Sequence, residues 1–138
     1  MVLATKSNRQ GTIGFIMKPE FNTEKSIYLQ IAESIEDDIL QKAIEEETQV
    51  PSTNQLAVLY RINPATAAKG INLLVSEGII YKKRGIGMFV SLGAVEKILE
   101  KRKTAFFQKY IVPLLHEADN LKISRKEIAE MINKAREI

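Results

Sequence analysis

The stretch "PSTNQLAVLYRINPATAAKGINLLVSEG", residues 51–78, carries two helix-start signals close together. Ser52 followed by Gln55 has capping-box spacing, in which each side chain satisfies a backbone N–H of the other residue. The apolar Leu56, Ala57 and Leu59 come directly after it, so a short helix is expected from near Ser52 to near Tyr60. Asn63 then supplies a second cap, and Pro64 takes the first helical position, where its missing N–H costs nothing. Gly78 is the stop, which predicts a third helix of about four turns. Only two or three residues remain between these helices, the length of a helix-turn-helix turn.

An earlier helix is predicted from Ile27 to about Gln41, because Tyr28, Ile31, Ala32, Ile35 and Ile39 fall on one helical stripe, with the acids on the opposite face. Charge is distributed unevenly. Residues 33–47 contain Glu33, Glu36, Asp37, Asp38, Glu45, Glu46 and Glu47 against Lys42, whereas residues 48–91 contain Arg61, Lys69, Lys82, Lys83 and Arg84 against Glu77. A net charge of +3 conceals this reversal, and an anionic partner would meet one part of the domain and avoid the other. On the third helix, Ala67, Ile71, Leu74 and Val75 mark the inward stripe. Ala65, Thr66, Lys69 and Asn72 point outward, a small, polar and cationic face suited to a major groove. A mid-helix glycine, Gly70, costs about 1 kcal/mol relative to alanine, and tight helix packing is its expected reason.

"IIYKKRGIGMFV", residues 79–90, places β-branched and aromatic runs on both sides of a basic, glycine-containing turn, which is a hairpin signature. A phosphate-binding glycine loop needs a helix after it, but here a second strand follows. A hairpin directly after a helix-turn-helix is a wing. Lys82, Lys83 and Arg84 are expected at its tip, able to neutralise phosphates or reach a minor groove. Gly85 and Gly87 would let the backbone turn and approach closely.

In order, spacing and turn residues, the segments "IYLQIAESIEDDIL", "PSTNQLA", "NPATAAKGINLL", "EGII" and "GIGMFV" resemble the winged-helix domain of the GntR family of bacterial transcription regulators. The resemblance covers nearly half of the chain, and the "INPATAAK" form resembles the YtrA-like subfamily. It implies phosphate contacts at Ser52 and Thr66, a recognition-helix contact at Lys69 and a wing backbone contact at Gly87. Thr53, Asn54 and Asn63 join the candidate DNA-binding residues at the two helix starts. Many relatives carry arginine where Asn54 stands, and often where Pro64 stands, so base readout at those positions does not transfer. Recognition would then lean on Lys69, Asn72 and the wing.

The expected fold is mainly α with a small β-hairpin: residues 1–16 an arm, 17–91 a winged helix-turn-helix domain, and 92–138 a helical dimerisation or effector segment. In that last segment a long helical pattern is interrupted by Pro113, and a second helix opens at Ser124 with a capping box to Glu127 and an Ile123–Ile128 staple. Two helices cannot bury both apolar stripes alone. Val95, Leu99, Phe106, Tyr110, Leu114, Ile128 and Ile132 are therefore the expected dimerisation residues, and a twofold dimer would read a pseudo-palindrome. A small-molecule effector would need the dimer interface to form its pocket.

In the 138 residues there is no cysteine and a single histidine, His116, so no thiolate metal site is available; no metal, cofactor or catalytic constellation is expected. No stretch approaches the roughly 18–20 apolar residues of a membrane span, and the N-terminus lacks the apolar run of a secretion signal, which makes a cytoplasmic protein the expectation. The leading expectation is a homodimeric repressor on double-stranded DNA. The alternatives are an activator or a winged-helix protein-interaction module.

Overall fold

The computed structural model describes residues 25–137 and the short strands β1 (Val2–Leu3) and β2 (Met17–Lys18). β1 and β2 pair antiparallel, with Leu3 opposite Met17; residues 4–16 of the expected arm lie outside the described residues. Then follow α1 (Ile27–Leu40), α2 (Thr53–Tyr60), α3 (Pro64–Ser76), β3 (Ile80–Lys83), β4 (Gly87–Val90), α4 (Ala94–Phe106), a π-helical turn (Phe107–Ile111), α5 (Val112–Asn120), α6 (Arg125–Lys134) and a terminal 3₁₀ turn. The chain divides into a compact unit ending at Ile98 and a second beginning at Leu99.

In the first unit the helix starts form as their residues demand. Gln55 N–H donates to Ser52 Oγ at 3.1 Å while Ser52 N–H donates to Gln55 Oε1 at 2.8 Å, and Ala65 N–H donates to Asn63 Oδ1 at 2.7 Å. Between α2 and α3 lie Arg61, Ile62 and Asn63. Arg61 adopts a left-handed conformation, and its N–H and that of Ile62 return to the Val58 and Ala57 carbonyls, a Schellman ending that sets the sharp turn.

The core collects Ile31, Ile35 and Ile39 from α1, Leu56 and Tyr60 from α2, Ala67, Ile71 and Leu74 from α3, and Ile79, Ile80 and Val90 from the hairpin, with Ala94 and Ile98 from the start of α4. Each fully buried isoleucine or leucine contributes about 1.5–3 kcal/mol. Tyr60 shares a 3.0 Å hydrogen bond between its hydroxyl and that of Ser34, which ties α2 to α1; burial pushes the phenol up to about 12. The acids of α1 do not all lie on a solvent face. Glu33 is exposed, but Glu36 and Asp38 are 1% and 2% exposed, because α1 is covered around most of its circumference and not along one stripe only.

Gly70 is buried where α3 crosses α1. A Cβ there would stand 2.9 Å from the Tyr28 carbonyl oxygen and 3.3 Å from the Ile31 side chain. Because the first obstacle is backbone, it cannot rotate away.

The hairpin pairs Ile80 with Val90 and Lys83 with Gly87, leaving Arg84, Gly85 and Ile86 as the turn. Lys82 and Lys83 therefore sit in β3 and only Arg84 in the loop, a correction to their expected place at the tip: the ladder extends two residues past Tyr81 because Gly85, at φ +77°, makes a three-residue turn sufficient. Before α2, Gln49 forms an isolated antiparallel bridge with Phe89 of β4. Val50 N–H donates to the Met88 carbonyl and Val90 N–H to the Thr48 carbonyl, each at 2.9 Å.

Glu46 closes the unit. Its carboxylate accepts the N–H groups of Gly93 and Val95 at 2.9 and 3.0 Å, which places an anion at the start of α4. Those two backbone donors hold its carboxyl below the ordinary value of 4.5. Val95 packs against the core cluster.

In the second unit the expected interruption at Pro113 takes the form of a π turn. Proline cannot donate and its ring crowds the carbonyl four residues back, so the backbone widens ahead of it, with Val112 N–H reaching the Phe107 carbonyl five residues away. α6 opens with the expected box, Glu127 N–H to Ser124 Oγ and Ser124 N–H to Glu127 Oε1, both at 3.1 Å. Ile123 and Ile128 are half-buried.

Gly70→Ala should destabilise the first unit by about 1–3 kcal/mol through overpacking, read as a lower urea midpoint. Ser52→Ala should cost about 1 kcal/mol by the same measurement. Glu46→Gln should lower stability at pH 7, and the gap to the wild type should narrow as pH falls below 4.5: a carboxyl with a depressed folded-state pKa stabilises above its unfolded value and loses that contribution as it protonates.

Candidate nucleic-acid interface

The exposed side of α3 is a row in which Ala65, Lys69, Asn72 and Ser76 recur at helical spacing, with Thr66 half-buried on its flank. The Lys69 ammonium stands 4.2 Å from the centroid of the Tyr28 ring on α1. This cation–π contact holds the amine at the helix surface without neutralising it.

Beside this row, a groove of about 500 Å³ runs between the start of α2, the middle of α3 and the wing. It is lined by Ser52, Thr53, Asn72, Lys82, Lys83, Gly85 and Gly87, all expected from the sequence, and also by Gln49, Val50, Ile71, Ile86 and Met88. Among the described residues that line it none is acidic, and two are lysines. Lys83 leans over the Phe89 ring, 4.4 Å from its centroid, and Phe89 stacks with its cross-strand partner Tyr81 at 5.9 Å. Asn63 and Ala65 lie exposed at the start of α3, and Asn54 is exposed on α2; the groove does not include them. Arg84 is exposed in the wing turn.

The residues missed in the sequence are Gln49, Tyr28 and Ile86. Gln49 Nε2 donates to the Ile86 carbonyl at 3.1 Å and packs where a Gly87 side chain would begin. The residue at 87 thus has an internal reason to be glycine: its φ is +147° and the Gln49 amide fills the space. No local pattern announces this contact, since Gln49 lies 37 residues before Ile86.

The expected dimerisation residues divide. Val95 packs in the first unit, while Leu99, Phe106, Tyr110, Leu114 and Ile132 are exposed in the second and Ile128 is half-buried. Phe106 and Tyr110 rings lie 5.2 Å apart, centroid to centroid. His116 is exposed, and among the described residues no group of three metal-ligating side chains comes together. No helix among them is long and apolar enough to cross a membrane.

Three helices with a three-residue turn, a hairpin behind them and an acid-free groove between define a winged helix-turn-helix regulator of the DNA-binding class. The family model "Bacterial regulatory proteins, gntR family" matches residues 27–90. The crystal structure of a GntR-family transcriptional regulator from Bacteroides thetaiotaomicron superimposes with a TM-score of 0.70 at 40% identity, covering 80% of this chain and 96% of that one. The HTH-type transcriptional regulator YhcF of Bacillus subtilis is 26% identical over 116 residues, 84% of this chain and 94% of its own length. The transcriptional repressor NagR of the same organism is 31% identical over 74 residues, 54% of this chain but 30% of NagR. The chain belongs to the GntR family, whose members here are transcription regulators and not enzymes.

Gly87→Ala should destabilise the wing, and the steric part of that loss depends on Gln49. Combined with Gln49→Ala it should cost measurably less than the sum of the two single losses in a double-mutant cycle of thermal unfolding.

Proposed function

We propose that the protein is a cytoplasmic, homodimeric repressor of the YtrA-like kind, with residues 17–91 binding a pseudo-palindromic operator and residues 92–138 joining two copies. The observation that carries the DNA reading is the groove itself. Ser52 and Thr53 at a helix start, Asn72 on α3 and Lys82 and Lys83 on the wing converge on one acid-free surface, although they are scattered through the sequence from position 52 to position 83. Helix-start hydroxyls and N–H groups suit phosphate oxygens, and α3 offers small residues that permit close approach. Thr66 and Asn63 would contact the backbone of the duplex beside Ser52. Ala65, Lys69 and Asn72 would face bases, with Lys69 leaving the Tyr28 ring to reach them, and Asn54 would lie at the edge of the interface without a base-reading role.

The dimer reading rests on the second unit. Leu99, Phe106, Tyr110 and Leu114 expose apolar surface along one continuous helical stretch, and Met131 and Ile132 do so on α6. Apolar surface so concentrated in a short segment is the usual mark of an interface. A second copy would cover like with like about a twofold axis and would set two α3 helices about one DNA turn apart. An effector, if the regulator responds to one, would bind where the two copies meet. Occupied operator would exclude polymerase, which gives repression; the repressor NagR favours that sign over activation.

The test is binding of the purified chain to its own upstream DNA and to random DNA of equal length across a salt series, with mass followed by light scattering. A dimer that prefers its own region supports the reading; a monomer, or a chain that binds neither DNA, overturns it. Lys69→Ala should weaken operator binding more than random-DNA binding, and equal losses would remove Lys69 from base readout. Neutralising Lys82, Lys83 and Arg84 together should weaken both, and the slope of log K against log salt should flatten by about 0.9 for each phosphate that the wing no longer neutralises.

A further inference from the structure

At the apex of the wing the residue that follows Arg84 and Gly85 is apolar. Ile86 is 62% exposed, a β-branched hydrocarbon on a turn whose other two residues are a cation, Arg84, and a glycine, Gly85. Its backbone is held on both sides. The Ile86 N–H donates to the Lys83 carbonyl at 2.9 Å, and its carbonyl accepts from Gln49 Nε2 at 3.1 Å, so the turn is tied to the residue that bridges β4. Around Gly85 a Cβ would meet nothing within 4 Å, so the apex is slim as well as anchored. Ile86 also lines the groove that collects Ser52, Asn72, Lys82 and Lys83.

We propose that Ile86 is a specificity-determining residue, an apolar wedge that enters a DNA minor groove and selects A·T pairs over G·C pairs there. This rests on the DNA-binding reading above. The exposed cations Lys82, Lys83 and Arg84 draw the wing to the phosphates on the two rims of the groove, and the side chain between them then meets the groove floor. A minor groove about 6 Å wide admits one slim apolar side chain. Its floor differs between base pairs chiefly by the guanine 2-amino group, a donor that Ile86 would strip of water and leave unpaired. An A·T floor presents no such donor. Lysine and arginine at the rims report phosphate and carry little base information, whereas the hydrocarbon reports the floor. Gln49 is the positioning residue, because it holds the Ile86 carbonyl.

The test begins by selecting sites from a random DNA pool with the full chain. Each pair of the enriched site is then replaced in turn by A·T, G·C or inosine·C, the last having the major-groove edge of G·C but a minor groove without the 2-amino group. At the wing positions the wild type is expected to bind A·T and inosine·C alike and G·C about tenfold more weakly. Ile86→Ser, an exposed change that leaves the core intact, should bind all three alike, and Gln49→Ala should reduce the discrimination with Ile86 still present. Arg84→Ala should weaken all three together. Discrimination that survives Ile86→Ser, disappears in Arg84→Ala, or separates inosine·C from A·T overturns the inference. An enriched site at which the wild type is indifferent to every such change overturns it while leaving the DNA-binding reading intact. If no sequence is enriched, the DNA-binding reading falls and takes this inference with it.

Discussion

The close approach of α3 to α1 at Gly70 is the contact on which the first unit depends. With a backbone oxygen 2.9 Å from where a side chain would begin, the two helices are separated by less than any other residue allows. That distance lets Ile31, Ile35, Ile71 and Leu74 share one core, and it leaves Ala65, Lys69 and Asn72 facing outward. It also brings the Tyr28 ring under Lys69. A glycine that weakens an isolated helix thus serves the packed one, since the propensity lost at one residue is small beside the burial gained along two helices.

The wing depends on a different connection. A two-stranded hairpin is marginal alone, and here an antiparallel bridge from Gln49 to Phe89, with backbone hydrogen bonds from its neighbours, anchors β4. Near this bridge in the chain stands Glu46, whose carboxylate caps the start of α4. One short stretch between α1 and α2 therefore supports both the wing and the helix that leaves the domain. Part of the acid-rich run thus has structural duties: Glu46 is engaged at a helix start and Glu36 and Asp38 are buried, while Glu33, Glu45 and Glu47 stay exposed.

Much of this was legible in the sequence where a signal is local. Ser52 with Gln55, Asn63 with Pro64, and Ser124 with Glu127 are each decided within four residues, and each forms as its chemistry requires. The hairpin was legible for the same reason, although its turn is shorter than the run of charges suggested. What the sequence concealed is nonlocal. The burial of Glu36 and Asp38 depends on how many elements surround α1, which helical periodicity does not encode. The Gln49 contact joins residues far apart in the chain, and without it Gly87 reads simply as a turn glycine. Of the candidate site, Ser52, Thr53, Asn72 and the wing residues Lys82, Lys83, Gly85 and Gly87 gather around one groove, Asn54, Asn63, Ala65 and Arg84 lie outside its lining, and the place of Lys69 over Tyr28 had no signal outside the tertiary structure.

The π turn before Pro113 also acts on the phase of the helix. A regular α-helix advances about 100° per residue, and a turn that spends an additional residue shifts every later side chain around the axis by that amount. Leu114 and the rest of α5 thus face a direction that an unbroken continuation of α4 would not have given them. Pro113, by enforcing the wider turn, sets the azimuth of the apolar residues beyond it, so deletion of a single residue from the Phe107–Ile111 turn would redirect that surface with no change in its composition.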